Sequence, residues 1–141
     1  MQADLVVKGI IFNRSLDKIL LLQRSYDDPT GANTWENAGG NMERGERPEE
    51  AIKREVREET GLTDIEVRNV AYVTLVDGPA PYLIMAYLCV ARMETVSLSH
   101  EHQAFRWADQ DECRAMLPKP IVDDFASHGI FELFHSREDG Q

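Results

Sequence analysis

A layered α/β domain is the fold class the sequence predicts, and three observations predict it. Short β-branched or leucine-rich runs recur along the chain, at 4–12, 18–23 and 65–76. Residues 82–91 (YLIMAYLCVA) are apolar nearly throughout, as in a central strand covered on both faces. Residues 48–60 carry a narrow apolar stripe at helical period between charged faces. Strands with helices able to cover both sides form a layered sandwich, and 141 residues suit a single domain spanning 1–141.

In chain order, 4–12 (DLVVKGIIF) and 18–23 (KILLLQ) flank the turn-like Asn13-Arg14-Ser15 and predict a hairpin. A loop with Pro29 and Gly31 follows from Ser25 to Asn33, and Trp35–Ala38 reads as a short strand before a Gly39-Gly40 break. The helix at 48–60 is the best marked element. Pro48 suits a first turn, Glu49 and Glu50 favour the positive end of the helix dipole, and Gly61 suits the left-handed closing residue. Residues 65–76 alternate like a half-buried strand, and Phe105–Ala108 predicts one more. Two further helices are expected, at about 110–117 and at 120–134, with Gly129 weakening the second. The polar tail from Ser136 is expected to be mobile.

The formal net charge of −10 argues against extensive nucleic-acid binding, which wants a basic face. It also makes a polyphosphate a poor guest unless a bound cation inverts the local field. No apolar run approaches the roughly 20 residues that span a bilayer, and the first ten residues lack a secretory pattern. Cys89 and Cys113 are too few and too far apart for a disulfide framework, so two reduced thiols in a cytoplasmic protein are expected.

At 100° per residue, Glu55, Glu58 and Glu59 fall on one flank of the 48–60 helix, beside the stripe of Ile52 and Val56. Two like charges 4 Å apart near a protein surface repel by about 4 kcal/mol. A hard divalent cation, which takes carboxylate, carbonyl and phosphate oxygens, would offset this. Taken alone, a glutamate-rich helix laced by pairs such as Glu50–Arg54 and Arg54–Glu58 is more often a solvated surface.

The pattern extends beyond the helix. Gly40, five residues, Glu46, seven residues, Arg54-Glu55-Val56, one residue, Glu58-Glu59, one residue, Gly61-Leu62: this resembles the Nudix box at every specified position. The preceding Trp35-Glu36-Asn37-Ala38-Gly39-Gly40 is also similar to the family's approach to the box, with Ala38 where many members carry proline. The resemblance implies an α/β/α sandwich with a mixed sheet between helices. It implies cleavage of a nucleoside diphosphate linked to another moiety, with Mg²⁺ or Mn²⁺ as cofactor. It implies Glu55, Glu58 and Glu59 as metal ligands with the carbonyl of Gly39, Glu46 assisting from its loop, and Arg54 holding a carboxylate in place. On that reading Glu58→Gln removes most activity and leaves the fold intact or more stable. Dimers are common in the family, which makes a homodimer one expected assembly.

Outside the box, Glu101 lies in the polar stretch before the 105–108 strand, where several family members place a further metal ligand or the general base. His100 and His102 flank it, and H-x-H alone is weak support for zinc. Arg24 is a candidate phosphate grip through its planar fork. Trp35, Tyr26 and Tyr82 are candidates to stack on a base, although core packing is the commoner use of such residues. A (modified) nucleoside triphosphate is the expected substrate. ADP-ribose or another nucleotide sugar and a dinucleoside polyphosphate are the alternatives. An isopentenyl-diphosphate isomerase relative and a non-catalytic sensor are ranked lower, because neither cysteine sits in a catalytic context and the box is complete.

Overall fold

The structure, a computed structural model, describes residues 2–135. Seven strands and three helices run in the order β1 (Asp4–Phe12), β2 (Ile19–Arg24), β3 (Trp35–Glu36), β4 (Ala38–Asn41), α1 (Pro48–Thr60), β5 (Ile65–Val76), β6 (Tyr82–Ala91), β7 (His102–Ala108), α2 (Gln110–Met116) and α3 (Lys119–Ser127). A 3-10 turn at Phe131–Leu133 follows. The sheet is mixed. β1 pairs in parallel with β6 along its whole length, and β5 lies antiparallel on the far side of β6. On its other edge β1 takes β4, and β2 carries both β3 and β7.

Alternation along β1 divides the core into two layers. Val7 and Ile11 point to the side where Ala51, Ile52 and Val56 of α1 pack. Ile10 and Phe12 point to the other, against Phe125 of α3 and Cys113 and Leu117 around α2. The expected sandwich is present, with α1 on one face and α2 and α3 on the other. Cys89 and Cys113 are buried, free and in different layers, and burial pushes both thiols up to about 12. Among the described residues no helix is long and apolar enough to cross a membrane.

Four expectations are corrected. The 4–12/18–23 hairpin meets only at Phe12↔Ile19, because β1 gives its edge to β4 instead. Trp35–Ala38 is not one strand: Trp35–Glu36 pairs with β2, Ala38–Asn41 with β1, and the chain changes partner at Asn37. Gly39 and Gly40 therefore lie inside a strand, not at a break. The strand expected at Phe105 begins at His102, which is buried and pairs with Arg24. The helix expected over 120–134 stops at Ser127. Gly129 takes φ +73°, and the Ile130 N–H returns to the Phe125 carbonyl at 2.9 Å, a Schellman closure that only a left-handed residue permits. The tail from Ser136 lies outside the described residues.

Candidate metal and phosphate site

Helix α1 runs over strand β4, and two consecutive glycines make the close approach possible. Gly39 donates its N–H to Glu59 Oε1 at 2.7 Å. A Cβ on Gly40 would lie 2.8 Å from the Glu55 carboxyl carbon. Glu59 thus rests on Gly39 and Glu55 on Gly40, which places two of the three helix carboxylates side by side along one strand. Glu58 points further out, its side chain 57% exposed.

Arg54 organises the outer half. Its Nε reaches Glu46 Oε2 at 2.6 Å and its Nη2 reaches Glu46 Oε1 at 3.0 Å, a two-point clamp. The same guanidinium donates to the Asn41 carbonyl at 3.1 Å, to Glu55 at 3.0 Å and to Glu58 at 3.4 Å. Glu46 also accepts the Glu43 N–H at 2.9 Å. These bonds hold the Glu46 carboxyl down at about 2 and raise Arg54 further above its usual range. Arg54 touches Glu46 on one side and Glu55 and Glu58 on the other, so it ties the Glu46 loop to the two outer helix carboxylates. Burial raises the Glu55 carboxyl, with Arg54 opposing.

The inner half is more deeply buried. Desolvation lifts the Glu59 carboxyl to about 8 despite the Gly39 N–H and the charge of Lys8. Facing it is the loop from Arg92 to Glu101, pinned to the end of α1 by Ser97 N–H to Thr60 O (2.8 Å) and Ser99 N–H to Glu59 O (3.3 Å). Ser25 secures the other side of that loop, with Oγ donating to the His100 carbonyl at 2.8 Å. The result brings ligand atoms of Glu59, Glu101 and His102 within 4.8 Å of one another. His102 bonds through Nε2 to Glu36 Oε2 at 2.9 Å, while its Nδ1 has no hydrogen-bond partner among the described residues and lies 3.7 Å from Glu59 Oε2.

A cleft of about 490 Å³ opens in front of Glu59 and Glu101, with Lys8, Arg24, Glu36 and His102 also on its walls. A second cavity of about 790 Å³, walled by Trp35, Tyr72, Tyr82, Ile84 and Ile121, shares Lys8, Arg24 and Glu36 with the first. Asn37 lines it too; the side chain is buried and its amide nitrogen has no hydrogen-bond partner among the described residues.

Arg24 faces the cleft, but its fork is engaged by Asp28, at 2.9 Å from Nη2 to each carboxylate oxygen. Trp35 and Tyr82 line the second cavity, whereas Tyr26 is 77% exposed and lines neither. Neither cysteine lines either cavity, so no thiol is placed for isomerase chemistry. Sequence reasoning missed Lys8, Glu36 and Asn37 as site residues, and gave His102 only the weak weight of an H-x-H pair. Lys8 had a readable signal, since it interrupts the inward row Val6, Ile10, Phe12; its Nζ lies 3.3 Å from both Glu36 Oε1 and the Asn37 carbonyl. Asn37 had none, because its approach to Lys8 is set by the pairing of strands far apart along the chain.

Since Glu58 is the most exposed of Glu55, Glu58 and Glu59, Glu58→Gln is expected to cut turnover at least about tenfold while shifting the melting temperature by no more than about 1 °C. Turnover within threefold of the parent would remove Glu58 from the metal-binding set.

Comparison with known proteins gives the same picture from outside. A family model described as NUDIX domain matches residues 4–126. The nucleoside triphosphatase NudI of Escherichia coli O139:H28 is 33% identical, over 66% of this chain and 74% of its own. The crystal structure of the MutT protein from Methanosarcina mazei Go1 superposes with TM-score 0.77 at 26% identity, covering 92% of this chain and 95% of that one. An Ap4A hydrolase from C. elegans reaches TM-score 0.77 at 21% identity, over 92% of this chain and 98% of its own, a likeness of fold. The chain belongs to the Nudix family, and as a Nudix hydrolase it is an enzyme acting on acid anhydrides in phosphorus-containing substrates.

Proposed function

We propose that this Nudix hydrolase is a divalent-metal-dependent pyrophosphohydrolase of nucleoside triphosphates, modified forms included. The observation that carries the reading is the junction of two unlike cavities. An acidic cleft meets an aromatic-walled pocket at Lys8, Arg24 and Glu36. A phosphate chain in the first and a nucleoside in the second would share that junction. The pocket volume suits one nucleoside-sized group.

The donor set fits a hard cation. Glu55, Glu58, Glu59 and Glu101, with the Gly39 carbonyl, would supply the oxygen ligands, and a single arginine, Arg54, is shared among the outer carboxylates. Burial that lifts the Glu59 carboxyl to about 8 makes its anion unfavourable alone, and a bound cation would ionise it with release of a proton. Mg²⁺ fits these oxygen donors, and so does Mn²⁺. When bound, such an ion would neutralise charge on the phosphate oxygens and lower the pKa of a coordinated water.

The chain's own residues do the rest. Lys8 holds a phosphate oxygen at the junction, where its ammonium replaces the solvation that the cleft excludes. Glu101, exposed at the mouth of the cleft, accepts through the carboxylate oxygen that is not a ligand the proton that water loses as its oxygen bonds to phosphorus. The bridging P–O bond then breaks, and the leaving phosphate or pyrophosphate carries away the electron pair. Asn37 offers its unpaired amide hydrogens to an acceptor on the base, and Trp35 and Tyr82 wall the ring.

The test is Mg²⁺-dependent release of phosphate or pyrophosphate from a panel of ordinary and modified nucleoside triphosphates, ADP-ribose, nucleotide sugars and dinucleoside polyphosphates. The triphosphates should head the panel. Asn37→Leu should raise KM for the preferred triphosphate about tenfold or more, and change hydrolysis of inorganic tripolyphosphate less than threefold. Equal losses on both substrates would place Asn37 outside the base pocket. A folded protein that turns over no triphosphate at saturating Mg²⁺ would sink the reading.

A further inference from the structure

His102 is buried to 5% exposure, and its Nδ1 is a buried polar atom without a hydrogen-bond partner among the described residues. Such an orphan is costly, and the structure contains an arrangement that would relieve it. Glu36 can only accept, so the 2.9 Å contact assigns the hydrogen to Nε2. In the neutral ring Nδ1 then carries a lone pair 3.7 Å from Glu59 Oε2, and a ring nitrogen lies within 4.8 Å of a Glu101 carboxylate oxygen. A carboxylate that fixes the tautomer of a histidine, whose other nitrogen faces further carboxylates, is the usual supporting pattern behind a metal-ligating imidazole.

We propose that His102 Nδ1 is a metal ligand, and that with Glu59 and Glu101 it forms a mixed nitrogen–oxygen site that favours Mn²⁺ over Mg²⁺. The assignment rests on the metal-dependent reading above and adds to it the donor that selects the metal. Imidazole nitrogen raises affinity for first-row transition ions and does little for Mg²⁺, which prefers oxygen and its own waters. Glu36 is a positioning residue here: it orients the ring and touches no metal.

The test uses the full chain loaded with Mn²⁺, read by electron spin-echo envelope modulation for nitrogen hyperfine coupling and by titration calorimetry for affinity. The wild-type protein should show directly bonded nitrogen. His100→Ala separates the two neighbouring rings and should keep the signal. His128, stacked on Tyr72 at 4.7 Å, belongs to the opposite layer. His102→Gln retains an amide for Glu36 and removes the Nδ1 donor. It should lose the nitrogen signal and weaken Mn²⁺ at least about tenfold, with Mg²⁺ affinity within threefold. Should that variant fail to fold, the wild-type and His100→Ala spectra decide the matter between them. Mn²⁺ bound through oxygen alone, or a nitrogen signal that follows His100, overturns the proposal and leaves the hydrolase reading standing. Failure of the wild-type protein to bind Mn²⁺ at millimolar concentration overturns both.

Discussion

Glu59→Gln is expected to raise the melting temperature of the metal-free protein at pH 8 by about 5–15 °C, and to remove most of its divalent-cation affinity. In the folded chain the Glu59 carboxyl is lifted from 4.5 to about 8. Between those values the native state holds a proton that the unfolded chain has released. Stability therefore falls as pH rises through this window, by a few kcal/mol in total. The groups around the carboxylate explain the direction. Burial acts first, Glu55 and Glu36 add repulsion, and Lys8 and the Gly39 N–H oppose them without prevailing. Glutamine keeps an acceptor for that N–H and offers an amide hydrogen towards the orphaned His102 Nδ1 at 3.7 Å. Glu46 and Asp28 are held near 2, so the stability they contribute is lost only in acid and leaves this window unaffected. The measurement is thermal unfolding in chelator at pH 5.5 and pH 8. Wild type should lose stability across the interval and the variant should lose much less. Equal slopes would show that Glu59 is ionised in the free protein. Mg²⁺ or Mn²⁺ at pH 8 should restore the wild type and have little effect on the variant.

The same residue shows what was legible in the sequence. Glu55, Glu58 and Glu59 could be placed on one flank of one helix, because local spacing fixes angular position and Pro48 and Gly61 mark the ends. Their different environments could not be read. Glu59 is buried and Glu58 is exposed because β4 passes beneath one and not the other, and that follows from which partner β1 accepts. Glu36 and His102 stand 66 residues apart, and their contact exists only because β3 and β7 both pair with β2. The H-x-H read as weak support for a metal in the sequence. Only strand register shows that His102 turns inward, while His100 stays on the exposed turn. Helix α3 failed for a local reason. The apolar period does run on past Ser127, but Gly129 satisfies the helix carbonyls early and the chain turns back to pack Ile130 and Phe131.

Gly39→Ala should destabilise the protein by about 3 kcal/mol or more, the largest loss among the glycines of this region. Its φ of +149° is one that residues with a Cβ rarely adopt, and the added carbon would stand 2.0 Å from the Val7 carbonyl and 2.8 Å from Lys8 Cα. Both obstacles are backbone, in the strand to which β4 is hydrogen-bonded, so relief requires β1 and β4 to part. Two neighbours isolate the causes. Gly45 also has positive φ, +81°, with nothing among the described residues within 4 Å of where a methyl would sit, so Gly45→Ala should cost only the conformational part, roughly 1–2 kcal/mol. At Gly40 the obstacle is the Glu55 carboxylate at 2.8 Å, the far end of a flexible side chain. Gly40→Ala should therefore cost about 1 kcal/mol in denaturant and yet remove most turnover, because the side chain that must move is a proposed metal ligand. Chemical denaturation and steady-state kinetics on the three variants separate these outcomes. If Gly39→Ala unfolds within about 0.5 kcal/mol of wild type, the close contact between β4 and β1 is not what holds Glu59 in place. If Gly40→Ala keeps full turnover, Glu55 is not tied to the strand beneath it.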